Sequence, residues 1–283
     1  MDWAKAKTIL IVAFIITNIF LAYNVWETKY YGYRSERISD KSISEVVAIL
    51  EEKGIKTKVS IPKDIYVNGI LTVEYMETDI HKLFGTVFES NNTYTAVQDD
   101  STKHVEGGKI LEVKNNKEIF YNNLDLRNMP KDDLTELEAV RIGEDFLKNN
   151  NLYKPSMMVD SIVPIDNGYY LTYVQQYKDK PLEVSIVEME ITSGGVYSMH
   201  MLWLNPVKMQ PGRKKIVHAL DALIKVADRE EVMGNTPVEI DKISLVHYFD
   251  WETAREGEAF PAWKICVNGE AYYVNALTGQ IDK

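Results

Sequence analysis

The pattern of apolar and polar positions divides the chain into one uninterrupted apolar run and a long series of short periodic segments. The run, Thr8–Val25, contains no charged residue. As a helix it would span roughly 27 Å, which matches the hydrocarbon core of a bilayer. It therefore predicts a transmembrane anchor over residues 8–26. A cleaved signal peptide would have an apolar stretch of about 7–15 residues and a small-x-small cleavage site. Here the run ends in Leu21, Ala22, Tyr23, Asn24, Val25 and Trp26, with no such pair and no cysteine following for lipid attachment. Lys5 and Lys7 precede the run, so residues 1–7 are expected as a cytoplasmic tail and the remainder as an extracytoplasmic domain. Trp3, Tyr23 and Trp26 fall where interfacial aromatic anchors belong. Phe14, Asn18 and Leu21 follow i, i+4, i+7 spacing, and Ala22 extends the same face. Asn18 can be tolerated in lipid through backbone partners. It can also bond a neighbouring helix, an interaction worth about 0.6–2 kcal/mol, which makes these four residues the expected helix-partner face.

After a polar, tyrosine-bearing stalk (27–41), the periodicity alternates between 3.6 and 2. Ser42-x-x-Glu45 reads as a capping box opening a helix that Gly54 ends, followed by an alternating strand from Ile55 to Ile61. Asn68-Gly69 predicts a hairpin into Ile70–Met76, and Asp79–Phe84 a turn or two of helix before Gly85. Strands are expected at Thr86–Val97, Lys109–Val113 and Glu118–Tyr121, with Gln98–Gly108 as a charged loop. Thr135-x-x-Glu138 opens a second helix to Asn149, with Leu137, Val140, Ile142, Phe146 and Leu147 inward. Strands at Met157–Ile165, Gly168–Tyr177, Leu182–Ile191 and Val196–Leu204 follow. A third helix is expected over Lys214–Arg229, then strands at Val238–Phe249, Ala259–Val267 and Ala271–Asn275 and one from Gln280 to the end. The fold class is α+β: one spanning helix and an ectodomain of helix-plus-antiparallel-sheet units, expected at 42–133, 134–205 and 206–283.

Composition narrows the function classes. The chain has 32 basic and 42 acidic residues; outside the cytoplasmic tail 30 face 41. This balance argues against nucleic acid as a partner and against a domain lying flat on anionic lipid. Cys266 is the single cysteine, so no intramolecular disulfide can form, and between Ile265 and Val267 it reads as a buried small hydrophobe. An exported domain of this size without disulfides fits a bacterial envelope. No nucleophile elbow, phosphate loop, dinucleotide fingerprint or zinc motif occurs. His81, His104, His200, His218 and His247 show no metal-ligand spacing. Asp99-Asp100 and Asp132-Asp133 lack the calcium-loop pattern and read as a solvated loop and a helix start. No catalytic residue, metal or cofactor is assigned.

Two stretches carry a resemblance. Ala259–Ile281, a strand, the Asn268-Gly269 turn, a strand, and Asn275-Ala276-Leu277-Thr278-Gly279 before a last strand, resembles PepSY-type domains. Met1-Asp2-Trp3, Lys7-Thr8-Ile9 and Phe14-x-x-x-Asn18-Ile19-Phe20-Leu21 resemble the start of the YycI family, regulatory membrane proteins encoded with the WalK/WalR (YycG/YycF) cell-wall two-component system of low-GC Gram-positive bacteria. The resemblance implies a non-enzymatic regulator whose partners are the sensor histidine kinase WalK, a YycH-like paralogue and the membrane. It supplies no catalytic residues and leaves the sign of regulation open. The alternative is a tethered PepSY-type inhibitor or ligand-binding module of the envelope, and an envelope hydrolase would need a cleft with convergent carboxylates or a Ser-Lys pair.

Overall fold

The computed structural model describes residues 7, 11, 13–22, 39–64, 66–67, 69–88, 96–98, 100–127, 129, 134–212, 214–229, 232, 237–249 and 256–281. Two compact units emerge, Met1–Ser44 and Glu45–Lys283. In the first, residues 13–22 form a helix, α1, with exposed side chains. Among the described residues no helix is long and apolar enough to cross a membrane. Most of the predicted stalk lies outside the described residues.

Helix α2, Asp40–Glu52, starts one turn earlier than its sequence signal. The Ser39 hydroxyl, not Ser42, accepts the capping hydrogen bond, from the Ser42 amide at 3.1 Å. Gly54, with φ +83°, ends it as expected. Strand β1 (Ile55–Thr57) is shorter than predicted, yet Ile55 and Ile61 are both buried and Lys56, Lys58 and Ser60 exposed. The period-two pattern thus describes which way the extended chain faces, while ladder pairing stops after three residues. Strands β2 (Tyr66–Val67) and β3 (Leu71–Tyr75) flank the predicted hairpin turn, whose Asn68 lies outside the described residues, and among those described they do not pair with each other. Instead β2 pairs with the later strand Lys214–Lys215.

Helix α3, Ile80–Phe88, runs through Gly85 and takes the first residues of a predicted strand. Its Leu83, Phe84 and Val87 are buried, so burial at helical spacing overrides the glycine. Ala96–Gln98 (β4) and Ser101–Glu106 (β5) follow, the second in place of a predicted charged loop. In β5 the buried side chain is His104, which packs on Phe84 and Phe88, while Val105 points out at 58% exposure. Its polarity is inverted relative to the usual strand pattern. Lys109–Lys114 (β6) and Glu118–Asn123 (β7) complete this meander and lead into a 3-10 turn at Leu124–Leu126.

Helix α4, Glu136–Asn149, carries the predicted capping box: Thr135 Oγ accepts from the Glu138 amide and the Glu138 carboxylate accepts from the Thr135 amide. It lies on one face of strands β9 (Gly168–Tyr177), β10 (Lys180–Thr192) and β11 (Gly195–Leu202), and β8 (Met157–Ile165) pairs with β9. Gly143 allows the close approach: a Cβ there would sit 3.0 Å from Ile191 Cδ1 and 3.2 Å from Leu171 Cδ2. Leu147 is fully buried and Val140, Ile142 and Phe146 pack at the core margin, whereas Leu137 is 80% exposed in the first turn. Then come β12 (Leu204–Met209) and β13 (Lys214–Lys215). Helix α5 is Ala219–Ala227; the residues before His218 expected to be helical are strand β13 and a connector.

The last strands, β14 (Val238–Tyr248), β15 (Glu256–Val267) and β16 (Glu270–Asn275), agree closely with the sequence pattern. Asn268 and Gly269, with φ of +49° and +83°, make the tight turn between β15 and β16. Among the described residues the predicted final strand is a single bridge, Val274 to Ile281, and residues 282–283 lie outside them. Trp263 on β15 is fully buried and donates its indole N–H to the Val217 carbonyl at 2.9 Å, tying α5's approach segment to the sheet.

One sheet joins strands from all three sequence units, in the order β12-β3-β15-β14-β10-β11-β7-β6-β5-β4 with β1, β16, β8 and β9 branching off it. Some strands change neighbour along their length. Residues 256–259 of β15 pair with β3 and residues 260–267 with β14. Strand β10 meets β14 in parallel at Leu182–His247 and β11 antiparallel from Ile186 onward.

The packing of α4 yields a paired prediction. Leu147→Ala should destabilise the protein by about 2–5 kcal/mol. Leu137→Ala should stay within about 0.5 kcal/mol. Urea midpoints of the two variants check this, and equal losses would contradict the observed orientation of the first turn.

Candidate interaction site

The joint between the two parts of the sheet is built from an interruption in β10. Gln175 of β9 faces Leu182 and the preceding Val174 faces Ile186, so Glu183, Val184 and Ser185 are inserted between consecutive rungs. Val184 takes φ +75°, a conformation that a β-branched residue adopts only under strain, typically about 1–3 kcal/mol. The insertion is held by polar contacts on both sides. Ser185 Oγ donates to the Gln175 side-chain carbonyl and accepts from the Leu204 amide at 3.0 Å. The buried Glu183 carboxylate receives Lys264 Nζ at 3.1 and 2.9 Å and the Tyr273 hydroxyl at 2.9 Å. Tyr248 stacks on Tyr273 at 4.4 Å. Burial, and then the Glu183 charge, push the Tyr273 phenol well above its ordinary pKa, so it stays a donor.

His247, the β14 partner of Leu182, is buried, and its Nδ1 has no hydrogen-bond partner among the described residues. Burial lowers its pKa to about 4, helped by the charges of Lys180 and Lys178. The neutral imidazole is therefore part of the packed joint. Cys266 is half-buried, and burial pushes its thiol up, consistent with an unreactive sulfur.

Among the described residues the sheet face opposite α4 is polar and partly exposed. Across it, Thr172, Glu188, His200, Phe120 and Glu112 form one transverse row through β9, β10, β11, β7 and β6. His200 stacks flat on Phe120 at 4.5 Å, with Nδ1 3.4 Å from Glu188 and Nε2 3.4 Å from Glu118. Tyr170 also bonds Glu188, and these contacts, His200 first, hold the Glu188 carboxyl below the usual carboxylate range. Among the described residues no group of histidine, cysteine and carboxylate side chains could hold a metal.

The sequence-predicted helix-partner face is placed on α1. Phe14, Asn18, Leu21 and Ala22 are all exposed, Phe14 at 67%. Asn18 Nδ2 donates to the Phe14 carbonyl at 3.0 Å, and Thr17 Oγ to the Ala13 carbonyl at 2.9 Å, so both polar side chains bond their own helix. The predicted interfacial anchors Trp3, Tyr23 and Trp26 lie outside the described residues. Sequence reading missed Glu183, Lys264, Tyr273 and the Tyr170–Glu188–His200 group. The glutamates on β10 carry only the ordinary polar half of a strand pattern, and their partners lie up to 90 positions away.

Two outcomes follow from this joint. Lys264→Met leaves Glu183 buried without its cation and should cost about 3–5 kcal/mol, whereas Lys264→Met with Glu183→Gln should recover a large part. Denaturation of the four members of that cycle measures it, and an additive double variant would rule out the coupling. The unfolded chain takes up a proton at His247 near the ordinary 6.5, which the folded chain refuses until about pH 4. Stability should therefore decline by about 3 kcal/mol as pH falls through this window, then level off. His247→Phe should flatten that part of the stability profile.

Comparison with known proteins agrees with this architecture. The sequence matches the family described as YycI protein over residues 34–277. No curated protein matches it in sequence. Among solved structures, an uncharacterized Eubacterium rectale protein superposes with a TM-score of 0.50 at 11% identity, covering 81% of this chain and 90% of that one. YycH from Bacillus subtilis superposes with a TM-score of 0.50 at 14% identity, covering 76% of this chain and 56% of YycH. The Bacillus megaterium YpeB C-terminal domain gives a TM-score of 0.38 at 12% identity, over 88% of this chain and 97% of that one. For the first two the likeness is one of fold, and it includes a YycH. The match over residues 34–277 carries the assignment: the chain belongs to the YycI family.

Proposed function

We propose that this protein is a membrane-anchored, non-enzymatic regulator that binds a WalK-type sensor histidine kinase together with a YycH-like paralogue and so adjusts cell-wall two-component signalling. Membership of the YycI family carries the reading, and the shared fold with a YycH supports it. The uncharged run Thr8–Val25 would anchor the chain with its N-terminus in the cytoplasm and residues beyond it outside.

Regulation by binding needs only a difference in affinity for two kinase states. About 1.4 kcal/mol shifts their ratio tenfold. A helix–helix contact through Asn18, with Phe14 and Leu21 packing around it, is of that size. Asn18 spends one amide N–H on the Phe14 carbonyl; among the described residues its second N–H and its side-chain oxygen have no other partner and could serve a neighbouring helix. The small side chain of Ala22 on the same face lets a partner backbone come close.

Asn18→Leu and Phe14→Ala variants, expressed to the wild-type level in membranes, should recover about three- to thirtyfold less kinase on co-purification and shift transcription of the kinase's target genes. Wild-type recovery and wild-type transcription in both variants would remove the helix face from the mechanism.

A further inference from the structure

At the turn end of the polar sheet face, next to the Tyr170–Glu188–His200 row, lies a cavity of about 390 Å³. Its walls bring together Arg127 from the loop after the 3-10 turn, Asp166 from the β8–β9 turn, and Tyr170, Glu190 and Tyr197 from β9, β10 and β11. We infer that this cavity is a binding site for a small zwitterion of the amino-acid or short-peptide class, with Arg127 receiving the carboxylate, Glu190 the ammonium, and the Tyr170 and Tyr197 rings the side chain.

Three observations converge on that class. First, charges of both signs share one wall without neutralising each other: among the described residues Arg127 forms no ion pair with Asp166 or Glu190, and its side chain has no hydrogen-bond partner. A guanidinium presents a planar pair of donors that a carboxylate accepts in bidentate fashion, and tyrosine faces beside a carboxylate suit an ammonium. Second, the walls are held in place. The Asn167 amide donates to the Arg127 carbonyl at 3.2 Å, clamping the β8–β9 turn to the loop that carries the guanidinium. Tyr170 is fixed through Glu188, which is itself bonded to His200. Third, the volume is at the small end of the range for ligand pockets, which suits a dipeptide-sized molecule. A purely cationic ligand would leave Arg127 opposed, and a purely anionic one would face Asp166 and Glu190.

The full chain, purified in detergent, can be titrated calorimetrically with glycyl-L-tyrosine, its N-acetyl derivative, its C-terminal amide and free L-tyrosine. The dipeptide should bind about tenfold or more tightly than either the acetylated or the amidated form. Arg127→Met should erase the preference over the amide alone, and Glu190→Gln the preference over the acetylated form alone. This crossed pattern separates recognition from a general loss of structure, which would weaken every ligand equally. Tighter binding of free tyrosine than of the dipeptide would identify the amino-acid source within the same class. Equal binding of all four, or no heat with any of them up to about 10 mM, would overturn the assignment. None of these outcomes depends on the kinase.

Discussion

One strand has to hydrogen-bond in two directions, and the architecture follows from how it does so. Along β10, the segment from Ile186 onward is committed to β11 and to β9 on its other side, while Leu182 is committed to β14. The change of neighbour from β14 to β11 falls where three inserted residues lift the chain out of register with β9. Val184 bears the conformational strain, Ser185 satisfies the displaced backbone of Leu204, and Glu183 turns toward Lys264 and Tyr273 on the neighbouring strands. The α4 core on one side and the Leu71, Val73, Leu182 and Leu204 cluster on the other then have fixed positions relative to each other.

A buried ion pair is an odd choice if stability alone mattered, since well-packed apolar residues of the same volume usually do as well. Its value here is directional. Glu183 has two acceptor oxygens, and both are used: Lys264 spans the pair and Tyr273 takes one. A slip of one residue in β15 or β16 would place Ile265 or Tyr272, which point to the α5 side, under the carboxylate. The polar contact therefore penalises alternative registers more than it strengthens the native one. The stack of Tyr248 on Tyr273 extends the same constraint to the end of β14.

The parts of the fold legible in the sequence are those in which local signals agree with long-range packing. The Thr135 capping box, the Asn268-Gly269 turn and the alternation through β8, β9, β10 and β11 all stand in the structure near their expected limits. The failures have one physical origin, a tertiary partner overriding a local preference. Strand β5 hides a histidine because Phe84 and Phe88 offer it an aromatic surface. Helix α3 passes through Gly85 because Leu83, Phe84 and Val87 bury a face. The pairing of β2 with β13 and of β1 with β14 joins residues well over a hundred positions apart, and no turn signal announces either. The candidate sites divide in the same way. The α1 face is a helical spacing and could be read directly, whereas the Glu183 joint and the Arg127–Glu190 cavity exist only once distant strands meet.

This division bears on how the regulator proposed above could work. A protein that acts by preferring one partner state needs surfaces that do not deform when the partner pushes back, because a surface that yields transmits no preference. On the polar face, His200 lies flat on Phe120 between two carboxylates, and Tyr170 leans on one of them. Each side chain there is positioned by at least one neighbour on the adjoining strand, so ordering it again on contact costs little entropy. The same rigidity runs into the cavity wall through Tyr170. A ligand held between Arg127 and Glu190 would therefore bear on a preformed surface.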